Sequence, residues 1–96
     1  MLTLDRIRQV VTKVGKKYGI KSAYLFGSYA KGTATENSDA DLLIDRGAIR
    51  GLIEFNGFRL ELMDELGTNV DILTMNSAGE KFYDLIKEDR VLVYGG

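Results

Sequence analysis

The residues able to do chemistry in this 96-residue chain gather in one stretch, LFGSYAKGTATENSDADLLID, Leu25 to Asp45. Gly27 and Ser28 close an apolar run. Ten residues then separate Ser28 from Asp39, and Asp41 follows two places on, leading into Leu42, Leu43 and Ile44. In a strand, residues i and i+2 share a face, so Asp39 and Asp41 stand together, about 6–7 Å apart at the backbone. The run Val70-Asp71-Ile72-Leu73 repeats the pattern once. If the two strands are neighbours, Asp71 joins the first pair. Three carboxylates on one face repel one another unless a cation sits among them. Two divalent ions about 3.5–4 Å apart supply that charge. Such a pair activates an attacking oxygen and steadies a leaving one in phosphoryl or nucleotidyl transfer. The plainer alternative puts Asp39 at a strand start and Asp41 at a solvated edge, because short Asp-x-Asp matches are common.

The upstream Gly-Ser pair shifts that balance. Gly27 lets the backbone turn sharply and approach a ligand closely. Ser28 offers a hydroxyl and a backbone N–H at the start of a turn or helix, a phosphate-binding arrangement. Lys31 can add a point charge to the phosphates. The P-loop is excluded: Gly27 and Gly32 have its four-residue spacing, but Thr33 stands where its lysine must be.

Composition removes other chemistries. The chain has no Cys and no His, so thiolate nucleophiles, His-containing triads and His- or Cys-bound metals are out. Any ion must be held by carboxylate oxygens, which favours Mg²⁺, Mn²⁺ or Ca²⁺. The net charge of -1 argues against a stable nucleic-acid complex. The charge is uneven: residues 1–31 carry seven bases and one acid, residues 32–96 six bases and thirteen acids. The basic first part offers a docking face for an acidic partner, or is a solvated helix face. No run of about 18 apolar residues spans a membrane. The opening MLTLDRIRQ has no apolar signal-peptide centre, which predicts a cytoplasmic protein.

The elements that must position these residues follow from periodicity. Leu4, Ile7, Val10, Val11, Val14 and Tyr18 recur at helical spacing between a Thr3 cap and a Gly19 stop. Ser22–Phe26 reads as a buried strand, residues 28–38 as a loop with one helical turn after Ser28, and Asp39–Ile44 as a second strand. Residues 48–66 read as a broad-faced helix weakened at Gly57. Val70–Thr74 is a third strand. Ser77 and Glu80 form a capping box for a helix through Phe82, Leu85 and Ile86. Val91–Tyr94 is a last strand, with Gly95 and Gly96 frayed beyond it. The expected fold is α/β (α+β): a single domain over 1–96, a small mixed sheet with helices packed on one side.

Gly-Ser, ten residues, then Asp-x-Asp resembles the signature of the DNA polymerase beta nucleotidyltransferase superfamily. By this chain's own composition, a chance match arises at a rate on the order of three in a thousand. The length resembles a minimal nucleotidyltransferase, the MntA-like antitoxin type paired with a HEPN-domain toxin, and the resemblance covers nearly the whole chain. It implies the polymerase beta-like catalytic core. It implies that Asp39, Asp41 and Asp71 are the metal carboxylates, that Gly27 and Ser28 bind the triphosphate, and that Lys31 stands where such proteins often have Arg or Lys. It implies two Mg²⁺ ions (or Mn²⁺), ATP as substrate, and AMP transfer to a tyrosine hydroxyl of the HEPN partner. It implies nothing firm about Arg46, Arg50 or Arg59. Two alternatives stand beside it: a non-catalytic module that neutralises a HEPN partner by occlusion, and a small-molecule nucleotidyltransferase completed by a second chain.

Overall fold

The computed structural model describes residues 2–95. Eight elements follow one another: α1 (Leu4–Tyr18), β1 (Ser22–Phe26), α2 (Gly27–Lys31), β2 (Ala40–Asp45), α3 (Gly51–Leu66), β3 (Val70–Thr74), α4 (Met75–Ile86) and β4 (Val91–Gly95). The sheet order is β3-β2-β1-β4. β1 runs antiparallel to both β2 and β4, while β2 and β3 are parallel. A parallel pair needs a crossover, and α3 provides it.

α1 forms as its spacing predicts. The Thr3 hydroxyl accepts the Arg6 N–H at 3.1 Å, and Gly19 closes the helix in the left-handed region. Its stripe Ile7, Val10, Val11 and Val14 is buried against Ala23, Leu25, Leu42 and Ile44 of the sheet. α3 lies beside it and adds Phe58, Leu62 and Leu66 to the same core. α3 begins at Gly51, three residues later than the periodicity suggests. The chain first turns through Arg46–Ile49, which tucks Ile49 into the core, and the Glu54 carboxylate then accepts the Arg50 N–H. The helix runs unbroken through Gly57. A Cβ there would stand 3.1 Å from the Tyr18 hydroxyl, so the missing side chain is what lets Tyr18 cross α3. Tyr18 packs edge-on to Phe58 and donates to Glu61 at 3.1 Å.

Two cations of the basic first helix have structural partners. Lys17 donates to Glu61 at 2.6 Å and Lys13 to Glu65 at 2.7 Å, tying α1 to α3. The Lys17 hydrogen bond is the chief cause that holds the Glu61 carboxyl below its ordinary range. Arg8 donates to the Leu92 carbonyl and Thr12 to that of Val93, so α1 also supplies partners to the edge strand β4. Arg8, Lys13 and Lys17, three cations of the basic first helix, thus have partners within the chain while remaining exposed.

The helical layer expected on one side is α1 and α3. α4 lies against the other face. Phe82 meets Phe26 edge-on at 5.1 Å, and the Arg90 guanidinium sits between the rings of Tyr24 (4.7 Å) and Tyr83 (4.2 Å). Arg90 Nη1 is buried without a hydrogen-bond partner, a cost of about 1–3 kcal/mol that two ring faces offset. α4 is capped by Thr74, whose hydroxyl accepts the Ser77 N–H, and not by the Ser77–Glu80 box. That box fails because Gly79, between the two, leaves helical geometry at φ 78° and ψ 169°. β2 spans Ala40–Asp45, shifted one place from the expected strand, because Asp45 pairs with Ser22. Gly95 pairs with Ser22 across β1–β4 instead of fraying. Gly96 lies outside the described residues. Among those described, no helix is long and apolar enough to cross a membrane.

Phe58 is fully buried where α1, α3 and the sheet meet. Phe58→Ala should cost about 3–5 kcal/mol through lost burial and the cavity left behind. A small domain holds only about 5–15 kcal/mol in total, so the urea midpoint should fall steeply. A shift worth less than about 1 kcal/mol would show that this contact is not central to the core.

Candidate active site

The site is built from the register of β2 and β3. Ala40, Leu42 and Val70 are fully buried and Ile72 packs against the same core, so alternation sends Asp41 and Asp71 to the opposite face. The parallel register makes Asp41 and Asp71 direct partners. Asp41 is half-buried and Asp71 exposed. Asp39 stands just before β2, where the Ala40 N–H donates to the Asn69 carbonyl at 3.0 Å. The Asp41 carboxyl is pushed above its ordinary value, first by burial, then by the charge of Asp71, then by that of Asp39. Neither ion pair among the described residues involves these three groups.

The donor set is entirely carboxylate oxygen, which fits Mg²⁺ or Mn²⁺ and suits a softer ion poorly. Among the described residues, no three such side chains are gathered tightly enough to hold an ion as they stand.

Gly27 touches this group directly. Phe26 pairs with Asp41 across β1–β2, and Gly27 follows at φ 72°, in the left-handed region. A Cβ on Gly27 would run into the Asp41 carboxylate. Only glycine meets both demands. The turn it makes opens α2, five residues long, with Ser28 second and Lys31 last. The Ser28 carbonyl accepts the N–H groups of Gly32 and Thr33, which end the helix. Lys31 lies one turn beyond Gly27, exposed and outside both ion pairs. The structure thus brings Gly27, Asp41 and Asp71 to one face and Asp39 within electrostatic reach. Asp39 also lines a groove of about 470 Å³ with Glu36, Asn37, Thr68 and Asn69, at the mouth of β2 and β3.

Of the three arginines left unassigned by the sequence, Arg46 lines a small pocket at the other end of the strands, by Ile44 and Thr74. Arg50 is exposed at the start of α3. Arg59 is different: its Nε donates to the Val70 carbonyl at 2.8 Å, directly behind Asp71. No local pattern could have paired Arg59 with Val70, because the pairing depends on the α3–β3 turn.

The raised Asp41 value has a consequence for stability without divalent ions. The folded protein binds the Asp41 proton more tightly than the unfolded chain. Its stability therefore falls as pH rises from the ordinary carboxylate value through the raised folded value, and the loss is complete above it. Asp41→Asn should raise the melting temperature of the metal-free protein at about pH 7, by about 4–8 °C for each kcal/mol relieved. At about pH 3, where Asp41 is largely protonated in both states, the two proteins should differ little. An Asn variant no more stable at neutral pH would show that the carboxylates are not in conflict.

A family model described as a nucleotidyltransferase domain matches residues 7–93, a span that holds Gly27, Ser28, Lys31, Asp39, Asp41 and Asp71. A Methanocaldococcus jannaschii protein, provisionally named a protein adenylyltransferase, is 35% identical over 91 residues, covering 95% of this chain and 92% of that protein. Protein adenylyltransferase MntA of Thermococcus cleftensis is 35% identical over 81 residues, covering 80% of this chain and 82% of that protein. In a solved complex of a tri-AMPylated HEPN toxin with an MNT antitoxin from Shewanella oneidensis, a chain shares this fold with a TM-score of 0.71 at 18% identity, covering 98% of this chain and 74% of that one. With a family match spanning nearly all of a four-stranded mixed sheet, the chain belongs to the nucleotidyltransferase domain family and is a nucleotidyltransferase.

Proposed function

We propose that the chain, acting as one domain, is a Mg²⁺-dependent protein adenylyltransferase that moves AMP from ATP to a tyrosine hydroxyl of a HEPN-domain partner, and so serves as an antitoxin. The observation that carries this reading is the Asp41–Asp71 pair facing across β2 and β3, with Asp39 beside it and Gly27 against Asp41. Its relatives named as adenylyltransferases support the reaction class, and the AMPylated HEPN complex supports the partner. Use of ATP agrees with a cytoplasmic location.

In this reading Asp39, Asp41 and Asp71 are the residues that would hold magnesium. Bound magnesium would supply positive charge for the triphosphate and the attacking oxygen. The Gly27–Ser28 turn binds the β- and γ-phosphates through backbone N–H groups and the Ser28 hydroxyl, with Lys31 adding charge. Asp71 orients the tyrosine hydroxyl and receives its proton. A bond forms between the tyrosine oxygen and the α-phosphorus, the α–β anhydride bond breaks, and pyrophosphate leaves.

The test is mass spectrometry of a purified HEPN partner after incubation with ATP and Mg²⁺. A tyrosine heavier by one AMP is the expected product, and chelation should abolish it. A tight complex with no modification would turn the case to occlusion. Asp71→Asn should stop transfer while sparing most Mg-ATP affinity by calorimetry, because this carboxylate serves the acceptor. A large loss of ATP affinity would assign Asp71 to the triphosphate instead. Ser28→Ala should weaken Mg-ATP binding by roughly 10- to 150-fold, the worth of one hydrogen bond to a charged group. Unchanged affinity would make the turn purely structural.

A further inference from the structure

Asp71 sits on an edge strand. β3 has β2 on one side only, and there Asp41 is its direct partner. Like charges directly opposite each other destabilise a strand pair. On the outer side stands one strong contact: the part-buried bond from Arg59 Nε to the Val70 carbonyl, one residue before Asp71. Val70 itself is fully buried, so the carbonyl belongs to a fixed point of the strand. Arg59 rides on α3, whose Phe58, Leu62 and Leu66 are buried in the core. Arg59 thus links the rigid helical layer to the strand most exposed to the charge conflict.

We propose that Arg59 is a positioning residue: its grip on the Val70 carbonyl holds Asp71 level with Asp41, so that the acceptor oxygen is aimed at the reacting phosphorus. The inference rests on the transfer reading above. In this role Arg59 acts through Asp71 and not on the nucleotide or the acceptor. Its loss should slow the chemical step and leave nucleotide binding alone, because in that reading the phosphates are held by the Gly27–Ser28 turn and Lys31, away from β3.

The variant is Arg59→Met, which keeps the apolar stem and removes the donor and the charge. Two measurements are made: steady-state AMP transfer with ATP varied, and hydrogen exchange of the backbone amides. The expected result is a kcat lower by about 10- to 100-fold, as for a small misplacement of a reacting group, with the ATP KM within about twofold. Amide exchange should quicken in β3 and not in β1. Unchanged exchange in β3 overturns the proposal whatever the activity. Faster exchange with unchanged kcat also overturns it, leaving Arg59 a structural staple. A rise in KM that accounts for the whole loss overturns it as well, by assigning Arg59 to the nucleotide. A wild-type protein that transfers nothing refutes the transfer reading by itself, and the exchange comparison still decides whether Arg59 holds β3. If Arg59→Met does not fold, Arg59→Lys carries the same test, since it keeps the charge and displaces the donor.

Discussion

The structure turns on a like-charge juxtaposition that the backbone enforces. Parallel register places Asp41 opposite Asp71, and Asp39 adds a third charge within reach. A fold selected only for stability would put a cation or an apolar residue at one of these places, since an ionised pair with no counter-charge disfavours the compact state. The conflict is tolerable because the rest of the sheet face is firmly placed. Leu43 is fully buried one step along β2, and Phe26 is held beneath Phe82. The carboxylates stand at the margin of a packed sheet, on the face opposite the main core.

Everything else in the chain serves that register. A parallel pair cannot be closed by a tight turn, so α3 must cross over the sheet, and it must be buried to stay there. Phe58, Leu62 and Leu66 anchor it against α1, and the two lysine–glutamate ties and Tyr18 fix its angle. Two of the five bases of the first helix, Lys13 and Lys17, thus pair with acids of α3. Charge asymmetry along the sequence became charge pairing in the fold.

The legibility of the sequence followed the range of each interaction. α1, β1 and β3 were readable to the residue because caps, stops and alternation are local: Thr3, Gly19 and the Ser22–Phe26 and Val70–Thr74 runs carry their own signals. That Asp39 and Asp41 stand at one side of β2 was readable because strand alternation is local; Asp71 opposite Asp41 hung on the two strands being neighbours, which they are. What escaped depended on tertiary partners. Gly57 looked like a weakness until Tyr18 was found lying across it. The Ser77–Glu80 box was overruled by one non-helical residue between its members. Arg59 gave no signal, because its acceptor is a backbone carbonyl across a turn, and any residue supplies a carbonyl.

The order of strands gives the proposed chemistry a direction. Across the sheet the chain lays out Gly27 at the end of β1, Asp41 on β2 and Asp71 on β3. Exposure rises along that line, from a half-buried Asp41 to an exposed Asp71 at the edge. For transfer of a nucleotidyl group the same order is required of the reacting atoms: leaving phosphates, reacting phosphorus, incoming oxygen. The leaving phosphates need backbone donors and a close approach, which a left-handed glycine at a strand end supplies. The incoming oxygen needs access, above all when it belongs to a folded partner too large for a cleft. In the proposed reading, the exposed Asp71 on the edge strand marks the side from which the acceptor would arrive.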